Sequence, residues 1–331
     1  MSRRATITGT GMYAPERVVP NAFFDARYQR DISTFLREQR NIHERRWMAP
    51  EQCTSDLVVP AARDAMAAAG VTAEDLDLIV VSTDTPDYLS PSTASVVSFK
   101  LGATRAGTFD INTACAGFVT ALDLADKYIR ADEQYQTILV VGAYAMSKWL
   151  NLDDYKIATL FADGAGAAVV RATTSGRGFG ASHLWTAGQY HDHMGIYAGG
   201  SKTPLDAGVL ARNEHLLAFP KRIPPETNGI HWPRIAGIVL DRVGKKPADV
   251  THWFLTQFNV QSIYETLDAL GVPRARAHLV MDRYGYTGSA SIGMCVADAV
   301  TAGKVRDGDL CVFIGSGGGM SMASLVLEWG A

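Results

Sequence analysis

Runs of apolar residues alternate with amphipathic stretches along the first half of the chain. The run in "LDLIVVSTDTP" predicts a buried strand, and "SPSTASVVSFKLG" after it predicts a helix that ends at Gly102. "GTFDI" predicts the next strand and "ACAGFVTALDLADKYIR" the next helix, before two more strands in "TILVVGAYAMS" and "GAGAAVVRA". Continuous apolar strands that alternate with helices are typical of a buried, mainly parallel sheet in an α/β fold.

The second half repeats the same order of predicted elements. "DVTHWFLTQFN" predicts a strand, "QSIYETLDALG" a helix that ends at Gly271, "HLVMD" a strand and "TGSASIGMCVADAVTAGKV" a helix. Two further strands are predicted in "DLCVFIGSGGG" and "MSMASLVLEW". An accidental match of two such units is the alternative, but the shared order of elements favours an internal repeat.

The offset between the two halves is nearly constant. It is 173 positions from Thr83 to Thr256, 172 from Asp110 to Asp282 and 173 from Gly142 to Gly315. We therefore predict two similar α/β halves, residues 1–172 and 173–331, packed around a pseudo-twofold axis. The segment at about 173–235 interrupts the repeat, is rich in Gly, Pro and His, and is expected to cover a site.

Cys115 lies where ligands of α/β sheets usually bind, at the carboxyl end of a predicted strand. It also stands at the start of a predicted helix, whose backbone N–H groups favour a thiolate and lower the pKa of a cysteine. Ala114, Ala116 and Gly117 leave space beside its sulfur. Cys115 is therefore a candidate nucleophile, although a lone cysteine is more often a buried small apolar residue.

Composition narrows the possible functions. The 331 residues are 47% apolar and 20% charged with a net charge of −3, which gives no general attraction to nucleic acid or to an acidic membrane. No apolar run approaches the ~18 residues of a membrane span, and no signal peptide is evident. The four cysteines form no CxxC pair or disulfide framework, so a reducing cytoplasm is expected.

"TGTGMYAP" resembles a dinucleotide-binding loop, but Pro15 follows and no helix continues, so NAD binding is not expected.

Several segments resemble one enzyme family. "DINTACAGFVTALDLADKYI", "FADGAGAAVV" and "GSGGGMSMAS" are similar to the ketoacyl-ACP synthase III branch of the thiolase superfamily, from about Thr6 to Trp329. "PDYLSPSTASVV" is similar to the same family's loop and helix. The resemblance implies a five-layer αβαβα thiolase-like fold and an enzyme that moves an acyl group from CoA to Cys115 and joins it to malonyl-ACP. It also implies a homodimer, in which the loop from Tyr88 to Pro91 reaches the neighbour's pocket.

The same resemblance assigns roles to individual residues. Gly318 would share an oxyanion hole with the Cys115 N–H, which stabilises a tetrahedral intermediate. The region of Arg40, Arg45 and Arg46 would contact the CoA nucleotide, and a solvated loop is the alternative. Asn259 would help to bind substrate. Acyl-CoA or acyl-ACP is a substrate, and no separate cofactor or metal is expected.

Two family residues are replaced here. Decarboxylating members carry a His in a segment like "PHQAN" and an Asn in one like "YGNTS", and both hydrogen-bond the carbonyl that becomes an enolate. This chain has "LTQFN" and "YGYTG" there, so Thr256 stands in place of the His and Tyr286 in place of the Asn. Loss of one such donor typically costs about 2.7–4 kcal/mol, so malonyl-ACP condensation should be slow. Acyl transfer to a hydroxyl, amine or thiol needs no enolate.

Such a transfer still needs a base. Asp84 aligns with the catalytic glutamate of HMG-CoA synthase, another member of the superfamily, and a solvated or capping aspartate is the alternative. His191 and His193 would be a base or two metal ligands without an evident third, or simply loop histidines. We expect a synthase III-like acyltransferase; the alternative is a non-catalytic partner subunit that pairs with an active homologue.

Overall fold

Two mixed β-sheets organise the chain, and the computed structural model describes them within residues 3–330. The first sheet has five strands in the order β1-β7-β6-β4-β5, and the second has four in the order β8-β11-β10-β9. A small two-stranded sheet pairs β2 with β3. The strands are β1 (Arg4–Tyr13), β2 (Arg17–Pro20), β3 (Glu44–Trp47), β4 (Leu78–Ser82), β5 (Gly107–Ile111), β6 (Thr137–Ala145), β7 (Asp163–Thr173), β8 (Gly178–Thr186), β9 (His252–Leu255), β10 (Leu310–Gly317) and β11 (Ser321–Glu328).

Helices cover the faces of these sheets. Among those within residues 3–330, none combines the length and the apolar character that crossing a membrane requires. The helices are α1 (Asn21–Tyr28), α2 (Ser33–Phe35), α3 (Thr54–Ala69), α4 (Thr93–Leu101), α5 (Gly117–Ala131), α6 (Tyr155–Ala158), α7 (Ala207–Ala211), α8 (Thr227–Arg242), α9 (Val260–Ala269), α10 (Met281–Tyr284) and α11 (Ser291–Thr301).

The two main sheets share one topology, as the repeat predicts. In the first sheet β6 pairs in parallel with β4 and antiparallel with β7, which in turn pairs antiparallel with β1. In the second, β10 pairs in parallel with β9 and antiparallel with β11, which pairs antiparallel with β8. The change from one sheet to the other falls between the end of β7 and the start of β8.

Five layers result from this repeat. Helices α5 and α11 lie between the two sheets, and their apolar residues share one buried cluster with side chains of both. Helices α3 and α4 cover the outer face of the first sheet, and α8 and α9 pack together on the outside of the second. This αβαβα arrangement confirms the predicted thiolase-like fold.

One predicted strand is wrong. Residues 278–280 of "HLVMD" lie outside any strand, and α10 begins at Met281. The chain makes a single bridge, from Ala277 to Trp253, before it leaves the sheet. Asp282 therefore lies in a helix although its repeat partner Asp110 lies in β5. A short apolar run is compatible with a strand or with a helix, so its pattern alone cannot decide between them.

The predicted covering segment at about 173–235 is also too long. Strand β8 belongs to the second sheet, and α8 begins at Thr227. The cover is therefore residues 187–226, which include α7. The sequence "GFGASHLWT" does not predict β8, because its glycines and histidine interrupt the apolar pattern expected of an edge strand.

The glycines that imitate a dinucleotide-binding loop lie inside β1. A side chain at Gly9 would place its Cβ 2.3 Å from the Ala65 carbonyl oxygen of α3, and one at Gly11 would lie 2.3 Å from that of Ala61. These two positions need glycine because α3 crosses β1 at backbone contact distance.

Candidate active site

A strained turn carries Cys115 from β5 to α5. Ala114 has a φ of 46°, a left-handed conformation that is uncommon for a residue with a side chain. Its N–H donates a hydrogen bond to the Asn112 Oδ1 at 3.0 Å, which fixes the turn. A 3₁₀ turn at Ala114–Ala116 then leads into α5 at Gly117. The structure therefore places Cys115 at the strand–helix junction that the sequence predicts.

The glycine-rich end of β10 lies against the Cys115 backbone. A Cβ at Gly317 would be 2.3 Å from the Cys115 nitrogen and 2.8 Å from the Ala114 Cβ. Any larger residue at position 317 would push the two segments apart. The neighbouring Gly318 lines the same cavity as Cys115.

Two cavities meet at this point. The first, called here the Cys115 cavity, has a volume of about 260 Å³ and is lined by Cys115, Asp84 and Gly318 among others. The second, called the Thr256 pocket, has a volume of about 160 Å³ and is lined by Thr256, Tyr286 and neutral side chains. Met194 of the covering segment lines both, so it forms part of the wall between them.

Burial raises the pKa of the Cys115 thiol to about 12, and the nearby Asp84 carboxylate adds to the rise. The neighbouring Tyr286 hydroxyl, a hydrogen-bond donor, lowers the pKa of the thiol. The expectation that the helix start lowers this pKa is therefore wrong. The cost of desolvating a thiolate outweighs the stabilisation that the helix end provides, so Cys115 needs a base.

Asp84 lies beside Cys115 and carries an unsatisfied oxygen. Its Oδ1 is enclosed and has no hydrogen-bond partner among residues 3–330. Burial raises the pKa of this carboxyl to about 6. Asp84 does not cap the following helix, because Ser92 caps α4. It is therefore a carboxyl group that changes charge near neutral pH within the cavity of the candidate nucleophile.

The variant Asp84→Asn is expected to be more stable than the unmodified protein above about pH 6. The folded pKa of about 6 lies above the ordinary 3.8, so the native state loses stability as the pH rises through this interval. Removal of the buried charge should increase the free energy of unfolding by about 1–3 kcal/mol at pH 8, with little difference near pH 4. Denaturant unfolding at both pH values measures this.

Asp163 provides the matched control for that prediction. Burial also raises the pKa of its carboxyl to about 6. Its two oxygens, however, accept hydrogen bonds from the Met48 N–H at 2.7 Å and the Ser147 N–H at 2.8 Å. Asp163→Asn should therefore destabilise the protein, because an amide nitrogen cannot accept the second bond. Equal destabilisation of both variants at pH 8 would contradict the expected role of burial at Asp84.

Tyr286 is held rigidly beside Cys115. Its N–H donates to the Leu160 carbonyl at 3.0 Å, and its own carbonyl accepts from the Ala162 N–H at 2.9 Å. Its ring packs against Phe161 and Phe258, with centroids 5.4 and 5.0 Å away. Burial raises the pKa of the phenol well above its usual value. Tyr286 is thus a neutral hydrogen-bond donor near pH 7, not a base.

The Thr256 hydroxyl is already used by the backbone. It accepts a hydrogen bond from the Ser316 N–H at 2.9 Å, which extends the contact between β9 and β10 beyond the ladder. Asn259 lines the same pocket, but its Oδ1 accepts from the Gln261 N–H at 3.2 Å and caps α9. Neither side chain is positioned mainly for a substrate in this structure.

The three predicted phosphate contacts have different environments. Arg45 is fully buried, and it donates to the Val19 carbonyl at 3.1 Å and to the Asn21 Oδ1 at 2.7 Å. Its assignment to the CoA nucleotide is therefore a wrong expectation, because the guanidinium lies in the interior, where a nucleotide cannot reach it. Arg46 is partly buried, and its Nη2 lies 3.6 Å from the Glu44 Oε1. Arg40 packs over the Phe258 ring at 5.7 Å, close to the Thr256 pocket.

The two histidines of the covering segment have different surroundings. His191 lines the Cys115 cavity, whereas the His193 Nδ1 lies 2.9 Å from the Asp192 Oδ1. Within residues 3–330 they belong to no group of three or more His, Cys, Asp or Glu residues arranged as metal ligands. His191 is therefore the one of the pair that lines the same cavity as Cys115.

Sequence reasoning overlooked most of the residues that line the Cys115 cavity, and three of them bear on its chemistry or its wall. These three are Asn112, Tyr144 and Met194. The rule that identified Cys115 could have identified Tyr144, which lies near the carboxyl end of the predicted strand "TILVVGAYAMS". No sequence pattern indicates Met194, because its position depends on how the covering segment folds back over the site.

Comparison with known proteins identifies the family. The model of 3-oxoacyl-[acyl-carrier-protein (ACP)] synthase III matches residues 109–188, and that of its C-terminal region matches residues 240–329. A beta-ketoacyl-[acyl-carrier-protein] synthase III from Symbiobacterium thermophilum is 38% identical over 337 residues, covering 99% of each chain. The chain belongs to the synthase III family. The acetoacetyl CoA synthase NphT7 of Streptomyces sp. strain CL190 is also 38% identical, over 98% of this chain and 99% of that protein.

Solved structures of the synthase III family agree with this. The enzyme from Aquifex aeolicus VF5 superposes with a TM-score of 0.88 at 28% identity, covering 98% of this chain and 100% of that one. A priming beta-ketosynthase from the R1128 polyketide pathway has a TM-score of 0.88 at 27% identity, covering 99% and 97%. The protein is thus an acyltransferase and condensing enzyme of the synthase III type.

Proposed function

We propose that Cys115 accepts an acyl group from a CoA or acyl-carrier-protein thioester and passes it to an acceptor in the Thr256 pocket. The observation that carries this proposal is the position of Cys115 at a strand–helix junction where two cavities meet. One cavity would hold the acyl group, and the other the carrier arm and then the acceptor. The acceptor would be a carbon nucleophile, a hydroxyl, an amine or a thiol.

Acylation requires a base, because the Cys115 thiol has a pKa of about 12. We assign this role to Asp84, whose carboxyl pKa of about 6 leaves it mostly ionised at neutral pH. The sulfur attacks the thioester carbonyl, its proton passes to Asp84, and the carrier thiolate leaves and takes up that proton. His191 is the second candidate base, because it lines the same cavity.

The negative charge of the tetrahedral intermediate needs donors. In the proposed arrangement the backbone N–H groups of Cys115 and Gly318 bind this oxyanion. Gly317, the residue before Gly318, lies against the Cys115 nitrogen, and this proximity supports that arrangement. The Tyr286 hydroxyl would donate to the sulfur before acylation and to a carbonyl oxygen afterwards.

The proposed replacements disfavour decarboxylation of malonyl-ACP. We take Thr256 and Tyr286 to occupy the places of the family's His and Asn. The Thr256 hydroxyl bonds to the Ser316 backbone, which leaves Tyr286 as the single side-chain donor on that side. An enolate would therefore receive one fewer side-chain hydrogen bond than two matched donors supply. Transfer to a heteroatom acceptor avoids this requirement.

Intact-mass spectrometry after mixing with a series of acyl-CoAs tests the function. A mass increase equal to one acyl group supports the acyl-enzyme, and peptide mapping should locate it at Cys115. The alternative function, a non-catalytic partner subunit, predicts no added mass with any thioester. Absence of loading from both acyl-CoA and acyl-ACP would therefore overturn the proposal.

We also propose a homodimer formed beside β5. This strand is the last of the first sheet, and the adjoining loop and α4 expose Tyr88, Leu89 and Phe99 to 57%, 85% and 87%. A second copy would bury this apolar surface and extend the sheet.

All four cysteines are free thiols, which is consistent with the reducing cytoplasm that we propose as the location of the protein.

Light scattering at micromolar concentration is expected to give the mass of a dimer. Phe99→Asp should shift the protein toward the monomer, because a charge would then be buried at the interface. Leu210→Asp provides a control, because this exposed leucine belongs to α7, outside the proposed surface of β5, the adjoining loop and α4, and its substitution should not affect the dimer. A monomeric unmodified protein at this concentration would refute the proposed dimer.

A further inference from the structure

The lining of the Cys115 cavity combines polar and apolar side chains. Its lining includes Asp84, Asn112, Tyr144 and His191 besides Tyr197. Met146, Phe161 and Leu217 supply apolar surface in the same cavity. An alkyl group would leave polar atoms of the lining without partners once it displaced water, and that loss costs free energy.

Asp84 is a polar residue of this lining that has an identified unsatisfied oxygen. Its Oδ1 is enclosed without a hydrogen-bond partner among residues 3–330. By contrast, the buried carboxylate of Asp163 is satisfied by two backbone N–H groups. A buried carboxylate accepts hydrogen bonds and cannot donate them when it is ionised. Because Oδ1 is enclosed, an O–H or N–H donor on a group held in the cavity would reach this carboxylate at its second oxygen, Oδ2, and Asp84 lines that cavity.

We infer that the acyl group loaded on Cys115 carries a hydroxyl or amino group that donates a hydrogen bond to Asp84 in the Cys115 cavity. This inference rests on the proposed acyl transfer and specifies its substrate class. A carboxylate has two oxygens with about four acceptor sites, so Asp84 can bind this donor and still act on the Cys115 proton.

The size of the cavity limits the chain. At about 30 Å³ for each water-sized group, about 260 Å³ accommodates roughly eight or nine non-hydrogen atoms. Short acyl groups that differ only in one terminal atom are therefore suitable probes. Butyryl, 3-hydroxypropionyl and 3-aminopropionyl groups have the same number of non-hydrogen atoms. They place a methyl, a hydroxyl or an ammonium group at the same position.

Binding of these three acyl-CoAs to the Cys115→Ala protein, measured by calorimetry, tests the inference without any chemical step. We expect at least one polar acyl-CoA to bind ten times or more tightly than butyryl-CoA. The pair of 2-hydroxypropionyl- and 2-methylpropanoyl-CoA repeats the comparison with the donor one carbon closer to the sulfur. Preference for the hydroxyl or for the ammonium group distinguishes the two forms of the donor.

Adding a second substitution to the Cys115→Ala protein, in two separate variants, tests whether Asp84 causes the preference for a polar acyl group. Asp84→Leu should abolish the preference, and Asp84→Asn should retain preference for the hydroxyl but lose that for the ammonium group. Equal binding of all isosteric acyl-CoAs, or an unchanged preference in Asp84→Leu, would overturn the inference. Intact-mass loading of the unmodified protein separates this outcome from failure of the proposed function. Loading without preference contradicts only the substrate class, whereas no loading contradicts the acyl transfer itself.

Discussion

Replacing Cys115 with alanine is expected to abolish acyl loading while the fold is retained. The sulfur is the group that would form the thioester, and no other cysteine lines the Cys115 cavity. Intact-mass spectrometry should show the acyl group on the unmodified protein and none on the variant. Because the replaced side chain is small and buried, the free energy of unfolding should change by only about 1 kcal/mol.

Cys53→Ala is the matched control for this experiment. Cys53 is partly exposed, so it is the cysteine most accessible to adventitious acylation by a reactive thioester. Cys295 and Cys311 are buried away from the cavity. Loading should be unchanged in Cys53→Ala. Undiminished acylation of Cys115→Ala would contradict the assignment of the nucleophile.

A double variant with Thr256→His and Tyr286→Asn is expected to release CO2 from malonyl-ACP faster than the unmodified protein. The net gain is one side-chain donor, which is worth about 2–3 kcal/mol in such sites and corresponds to roughly tens to hundreds of fold in rate. Acyl loading should change less, because it uses the thiol and the backbone donors. Release of CO2 and the yield of ketoacyl product measure the first reaction, and intact mass measures the second.

The structure indicates that the gain lies toward the lower end of this range. Thr256→His removes the acceptor of the Ser316 N–H, and Tyr286→Asn leaves space between Phe161 and Phe258. Tyr286→Phe is the control, because it keeps the ring but supplies no donor, and it should not raise decarboxylation. If the unmodified protein already releases CO2 as fast as it is acylated, the proposed preference for another acceptor loses its main support.

Local sequence patterns determined most of the elements and the place of the nucleophile. The helical spacing after Cys115 predicted α5, and apolar runs predicted the central strands β4, β6 and β10. Gly102 ends α4 with a φ of 74°, a conformation that glycine adopts without strain. The same patterns and the motif around Cys115 were sufficient for the family. These features depend on residues that are close together in the sequence, so local sequence patterns can predict them.

Tertiary structure decided what depends on residues far apart in the chain. The sequence did not predict that burial and Asp84 would raise the pKa of the Cys115 thiol. Nor did it predict that Arg45 would enter the interior or that Ser316 would engage the Thr256 hydroxyl. Each result depends on desolvation or on hydrogen bonds between distant segments. A sequence position specifies the chemical group, but only packing decides how much water and which partners that group retains.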